Sequence, residues 1–275
     1  MGGGRAGAGS GRHRKAAFAL GKGAGLGHNR LQAGKATDVQ PDQQTSRTPP
    51  VLILGMHRSG TSFLAGTLQG AGLDLGEAST FDKHNRKGNR ERRDIVAFHD
   101  AVLEARGHAW NAPPEGQITW TAEERAAARD FTPAAGGPWG FKDPRALLMA
   151  EEWMALHPGA RRVGIVRHPV MVARSLAARG TRKVKGPAAF ALWAAYNQRL
   201  LALHEADPFP ILSFDAPPER LATQIAGLLP DLGLAPDAAG AFFDPELRHH
   251  EREAEKPPQE LRPLYAELMA RRVGA

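Results

Sequence analysis

Residues 51–62, VLILGMHRSGTS, constrain the fold more than any other stretch of this 275-residue chain. Four consecutive apolar residues, Val51 to Leu54, have the pattern of a short strand buried on both faces. A loop bounded by Gly55 and Gly60 follows, and Thr61 and Ser62 open a helical apolar pattern, TSFLAGTLQGAG. Strand, glycine-bounded loop and helix N-terminus together make an anion cradle, because loop N–H groups and the positive end of the helix dipole converge on one point. The nucleotide-hydrolase form of this cradle is GxxxxGK[ST]. Here the lysine before the last hydroxyl is missing, and a cation, Arg58, lies inside the loop instead. The segment therefore predicts a phosphate-like ligand held in a manner different from that of an ATPase.

Downstream, strand-like and helix-like stretches alternate. After the first helix, residues 72–94 are polar and glycine-punctuated and read as a long loop, and residues 94–106 have apolar positions at helical spacing. Residues 111–138 are rich in Pro and Gly around a short helical stretch, AEERAAARDF. Trp139-Gly140-Phe141 reads as a short strand ending in Lys142-Asp143-Pro144-Arg145, with Asp143 at the N-cap and Pro144 at the first position of a helix, RALLMAEEWMAL. Residues 162–166 repeat the buried-strand pattern and end at Arg167-His168-Pro169, where a helix, VMVARSLAAR, begins. Residues 187–205 form an amphipathic helix with Trp193 and Tyr196 on its core face, residues 210–214 a last strand, and PPERLATQIAGLL a last helix. This alternation implies an α/β class, a P-loop NTPase-like three-layer fold with a central parallel sheet flanked by helices. In such sheets ligands bind at the C-terminal ends of strands, which is where the three polar motifs lie.

Charge narrows the function classes. The net charge of +7 suggests nucleic acid until it is mapped: residues 1–50 hold eight Lys/Arg and two Asp/Glu, whereas residues 51–275 hold 28 against 27. The basicity belongs to a Gly/Arg-rich tail without periodicity, expected to be disordered over residues 1–49 and followed by the α/β domain over 50–275. No nucleic-acid partner is expected, since aromatic residues do not interleave with basic ones. The chain has no cysteine, which excludes disulfides, zinc–thiolate sites and thiol nucleophiles. No apolar run approaches the length of a membrane span, and the apolar AAFAL after Arg12-His13-Arg14-Lys15 is too short for a secretory leader, so a cytoplasmic location is expected.

The candidate site residues follow from these motifs. Arg58 and the N–H groups of Ser59, Gly60, Thr61 and Ser62 suit a diphosphate-like anion, with His57 beside them as a packing or hydrogen-bonding residue. Arg167 ends a strand, and Ser175 stands about two helical turns further on, within reach of the same anion if the helix packs against it. Lys142 ends another strand and can point into the crevice, or into solvent beside a capped helix start. Arg145 is either a salt-bridge residue or a substrate contact. The histidines form no metal-ligand spacing, and neither HExxH nor DxD occurs, so no metal is expected.

Three of these matches, in order and on the right element types, resemble the sulfotransferases that use 3′-phosphoadenosine 5′-phosphosulfate (PAPS), in particular their bacterial carbohydrate and tyrosylprotein-like branches. GMHRSGTS resembles the family's 5′-phosphosulfate loop, RRVGIVRHPVMVARS its 3′-phosphate element with Arg167 and Ser175 eight apart, and GFKDPR its Lys-Asp-Pro element. The resemblance covers residues 51 to about 215. It implies that Arg58 and the loop amides bind the 5′-phosphosulfate, that Arg167 and Ser175 hold the 3′-phosphate, and that Lys142 stabilises the leaving oxygen. It also places a general base in the loop after the first helix, where Glu91 is favoured over Glu77 and His84, with Asn85, Gly88 and Glu91 resembling an Asn/Gly/Glu pattern of bacterial relatives. The implied reaction is in-line transfer of a sulfuryl group from PAPS to a hydroxyl or amine of a small-molecule or carbohydrate acceptor. A nucleotide or small-molecule kinase and a catalytically inactive nucleotide-binding protein remain as alternatives.

Overall fold

Both faces of the central strands are apolar, and both are covered. In the computed structural model, β1 (Val51–Leu54) sends Leu52 and Leu54 into one hydrophobic core and Val51 and Ile53 into another, the two-residue alternation of a strand buried on both sides. The structure describes residues 48–79, 88–133, 136–178, 184–235 and 256–275, which lie in one unit, Thr45–Ala275. The tail expected over residues 1–49 falls almost wholly outside the described residues, as do His84, Asn85 and His249-His250.

Four strands pair in the order β2-β1-β3-β4, where β2 is Gly140–Lys142, β3 is Arg161–Val166 and β4 is Ile211–Ser213. Every pairing is parallel, with Leu52 opposite Phe141 on one side and Arg162 on the other. On one face, α1 (Thr61–Gly70) and α7 (Pro218–Leu228) bury Leu64, Leu68, Leu221 and Ile225. The other face is covered by α2 (Arg93–Glu104), α4 (Ala150–Leu156), α5 (Pro169–Ala178), α6 (Pro187–Ala206) and α8 (Arg262–Ala270), through Ile95, Trp153, Val172, Trp193 and Leu268. Each fully buried leucine of these layers contributes about 1.5–3 kcal/mol. The expected three-layer α/β fold is therefore present, with α3 (Ala122–Arg129) held at its start by a capping box between Thr121 and Glu124.

Two features differ from the reading of the sequence. RALLMAEEWMAL is not one α-helix: Pro144–Met149 is a 3-10 segment, and α4 starts only at Ala150. Leu147, Leu148, Met149 and Ala150 are all wholly buried, so successive side chains must enter the core in every direction, and packing overrides helical periodicity. The C-terminal stretch, beyond the last helix read from the sequence, forms α8 against α6 and then places Val273, whose N–H donates to Ile211 O at 2.9 Å, along the edge of β4.

Strand order sets the position of the site. The chain fills the sheet on one side of β1 with β2, then crosses to the other side for β3 and β4. Such a reversal opens a crevice outside the carboxyl ends of the strands. The Gly55 loop, Lys142, Arg167 and the Phe214-Asp215 pair after β4 all stand at those ends.

Candidate active site at the C-terminal edge of the sheet

The loop after β1 is held open by sterics. Gly60 has φ 92°, and a Cβ there would stand 2.3 Å from a Phe214 ring carbon. Arg58 also takes a left-handed φ of 70°, a conformation that costs a non-glycine residue about 1–3 kcal/mol and is found where a site imposes it. Gly60 caps α1 with no side-chain hydrogen bond, and no acidic residue occupies the first turn. The positive end of α1 is thus left for an external anion. Ser59 is wholly buried, and its Oγ has no hydrogen-bond partner among the described residues. An enclosed hydroxyl, an uncapped helix start and a close-approach glycine fit a phosphate or sulfate oxygen between them.

The structure brings Arg58 and Ser175, from motifs 117 positions apart, into direct contact: Arg58 Nε donates to Ser175 Oγ at 2.8 Å. Arg167 leaves the end of β3, and its Nη1 donates to Arg58 O at 3.4 Å. Its guanidinium lies 5.0 Å over the Phe214 ring and 3.7 Å from Asp215 Oδ1. Asp215 also accepts from the His168 N–H at 2.6 Å, which fixes the turn carrying Arg167. Phe214 was read only as the end of a strand, and Asp215 was not singled out. Their position at a strand terminus beside the glycine loop is the signal that could have marked them as candidates.

Lys142 and Glu91 form the second half of the site. Lys142 ends β2 and is 2% exposed, and its Nζ donates to Glu91 Oε1 at 2.6 Å. Burial pulls the lysine below its usual value, and the Glu91 charge acts against that pull. The segment bearing Glu91 is fastened on two sides. Ser62 Oγ donates to Asn89 O at 3.0 Å, and Ser79 N–H donates to Glu91 O at 3.0 Å while Arg90 N–H donates to Ser79 O. Glu77 is exposed. Of the two base candidates among the described residues, Glu91 rather than Glu77 is placed against Lys142.

Asp143 caps the 3-10 segment by accepting from Arg145 N–H at 3.1 Å. Its carboxylate also accepts from His99 Nδ1 at 2.7 Å and Arg145 Nη1 at 2.8 Å, and Arg145 Nε donates to Asp100 Oδ1 at 2.6 Å. Burial pushes the Asp143 carboxyl up, but the His99 hydrogen bond and the Arg145 charge outweigh it and hold the group well below its usual range. Arg145 is therefore a salt-bridge residue. His57 packs against Trp110 at 4.6 Å and Tyr196 at 5.9 Å between ring centroids, and its enclosed Nε2 meets no partner among the described residues. Burial, with the charges of Arg145, Lys142 and Arg58, lowers its pKa to about 3, against an opposing Asp143. The Tyr196 hydroxyl donates to Trp110 O at 2.9 Å and pins the tight turn, Ala109 to Ala112, that carries Trp110. The basic run at 179–186 lies largely outside the described residues, and no described helix is long and apolar enough to cross a membrane.

No curated protein matches this sequence. Among solved structures, the chain is similar to the sulfotransferase domain from the olefin synthase of Synechococcus PCC 7002, at 17% identity and TM-score 0.47 over 85% of this chain and 98% of that one. It is also similar to the sulfotransferase STF1 from Mycobacterium tuberculosis H37Rv, at 15% identity and TM-score 0.40 over 82% and 77% of the two chains. A profile of the sulfotransferase family matches residues 49–221, which span the glycine loop, Glu91, Lys142, Arg167, Ser175 and Asp215, and the chain belongs to that family.

Proposed function

We propose that the protein transfers a sulfuryl group from PAPS to a hydroxyl or amine of a small-molecule or carbohydrate acceptor. The observation that carries this reading is the Arg58–Ser175 hydrogen bond at 2.8 Å, because it joins a 5′-type anion loop to a second anion element at the end of β3. An ordinary nucleoside triphosphate, which lacks a 3′-phosphate, has no use for that second element.

The residues divide the work by position. The N–H groups of Gly60, Thr61 and Ser62, the Ser59 hydroxyl and Arg58 surround the 5′-phosphosulfate, each charge-assisted bond contributing about 1.5–3 kcal/mol. Arg167 and Ser175 hold the 3′-phosphate, and the Phe214 ring, 5.0 Å from the Arg167 guanidinium, packs beneath it. Lys142 turns its ammonium from Glu91 to the bridging oxygen, where negative charge builds as the sulfur–oxygen bond breaks. Glu91, released from the lysine, takes the proton that the acceptor oxygen or nitrogen loses as it bonds to sulfur. Adenosine 3′,5′-bisphosphate and a sulfated acceptor leave, and the proton on Glu91 returns to solvent. His57, kept neutral by its burial and by the neighbouring cations, adds a hydrogen-bonding group without adding charge.

Calorimetric titration with adenosine 3′,5′-bisphosphate, beside AMP and ADP and without magnesium, tests the reading. Binding that requires the 3′-phosphate and weakens in Arg167→Ala supports it. Equal binding of ADP overturns it in favour of a kinase.

A further inference from the structure

Three neighbouring residues at the end of β2 are each tied to α2 or to the segment just before it. Lys142 meets Glu91, Asp143 meets His99, and Arg145 meets Asp100, at 2.6, 2.7 and 2.6 Å. The middle contact is the buried one, with His99 wholly enclosed and Asp143 1% exposed. It is also the one whose protons are determined. Trp153 Nε1 on α4 donates to His99 Nε2 at 2.9 Å, so Nε2 is the acceptor and Nδ1 carries the hydrogen donated to Asp143. A tryptophan N–H has no alternative role, because indole nitrogen is a donor only. The imidazole is therefore held in one tautomer and one ring orientation between two elements.

His99 stands on the buried stripe of α2 with Ile95 and Val102. It lies seven positions beyond the N-cap Arg92, about 10 Å along a rigid helix from the residue that follows Glu91. Asp143 directly follows Lys142 in the chain. Glu91–Lys142 joins the end of β2 to the segment before α2, His99–Asp143 joins it to α2 itself from within the core, and Arg145–Asp100 adds a third, more exposed tie to α2. The enclosed His99–Asp143 tie holds α2, and with it the carboxylate, against the ammonium.

We propose that His99, through Asp143, is a positioning residue that sets the Glu91–Lys142 geometry. The inference rests on the donor-site reading above, in which Lys142 reaches the 5′ side of the nucleotide. His99 touches no reacting atom. Its role is that of a strut whose proton is oriented by Trp153.

A double-mutant cycle on adenosine 3′,5′-bisphosphate binding by the full chain tests this. His99→Phe removes the proton donor while keeping bulk, and it weakens binding about tenfold, the size of coupling seen between residues that act as a unit. In a Lys142→Met background the same change weakens binding by no more than about twofold, since the group it positions is gone. His99→Asn places an amide N–H near the Nδ1 position and restores most of the affinity, and it serves as the milder variant if His99→Phe does not fold. Equal losses in the two backgrounds, or no loss in wild type with Arg167→Ala still impaired, overturn the strut and leave the donor site standing. Absence of binding by the wild-type chain overturns the donor site and the strut together.

Discussion

Replacing Glu91 by alanine leaves the Lys142 ammonium, 2% exposed, without the carboxylate that stands 2.6 Å away. With an effective dielectric constant of about 20, such a pair gains roughly 6 kcal/mol of gross attraction, most of which repays the desolvation of the two charges. Removing one partner cancels the attraction and keeps the desolvation of the other, a change that costs about 3–5 kcal/mol in buried pairs. The Glu91 side chain is 21% exposed, so water reaches the vacated space and the loss falls at the lower end, about 3 kcal/mol. In urea unfolding at pH 7, with a slope near 3 kcal/mol per molar, the midpoint drops by about 1 M. The double variant Glu91→Ala/Lys142→Met has no unpaired charge and returns to within about 1 kcal/mol of wild type. The pH dependence has a definite sign. Burial holds the folded-state lysine below its usual 10.5, so between that lowered value and 10.5 the unfolded chain binds a proton the folded chain has released, and stability rises with pH. Loss of Glu91 lowers the folded value further, so the deficit of Glu91→Ala shrinks as the pH is raised toward 10.5. A loss under about 1 kcal/mol at pH 7, or a double variant no more stable than the single one, refutes the buried-pair reasoning.

Further predictions concern the anion cradle. Ser175→Ala removes the acceptor of the Arg58 Nε–H bond, so adenosine 3′,5′-bisphosphate affinity measured by calorimetry falls about five- to tenfold, while the unfolding midpoint changes little because the hydroxyl is only half-buried. Gly60→Ala forces a Cβ to within 2.3 Å of the Phe214 ring at φ 92°, so stability falls by about 1–3 kcal/mol and nucleotide binding is lost, and adding Phe214→Ala recovers part of the stability but not the strained φ. His57 stays neutral through pH 5, and its imidazole resonances in a proton NMR titration move only near pH 3; a midpoint near 6.5 would contradict its enclosure beside three cations.

Much of this site was legible because local chemistry marks it. Gly55, Arg58, Gly60 and Thr61 lie in one short segment, and Lys142 and Arg167 each end an apolar run, so position at a strand end could be read without coordinates. What a strand end cannot tell is which other strand end faces it. The contact between Arg58 and Ser175 spans 117 positions, and the pairing of Lys142 with Glu91 spans 51, so both depend on how the sheet is ordered. His99 was invisible for a different reason: on an amphipathic helix it fills one buried position of a regular stripe, and only its bonds to Asp143 and Trp153 separate it from an ordinary core residue. The 3-10 segment after Asp143 escaped because its apolar residues are consecutive, and periodicity carries no information where every side is buried. Asp215 was not singled out, although the rule that ligands gather at strand ends applies to β4 as it does to β1 and β3.

The most direct test of the central claim is nucleotide turnover. The full chain is incubated with PAPS and a panel of hydroxyl and amine acceptors without magnesium, and nucleotides and acceptors are separated by chromatography and weighed by mass spectrometry. The expected products are adenosine 3′,5′-bisphosphate and an acceptor heavier by one sulfuryl group, both abolished by Lys142→Met and Arg167→Ala. PAPS left intact across the panel while ATP is consumed in the presence of magnesium would contradict it.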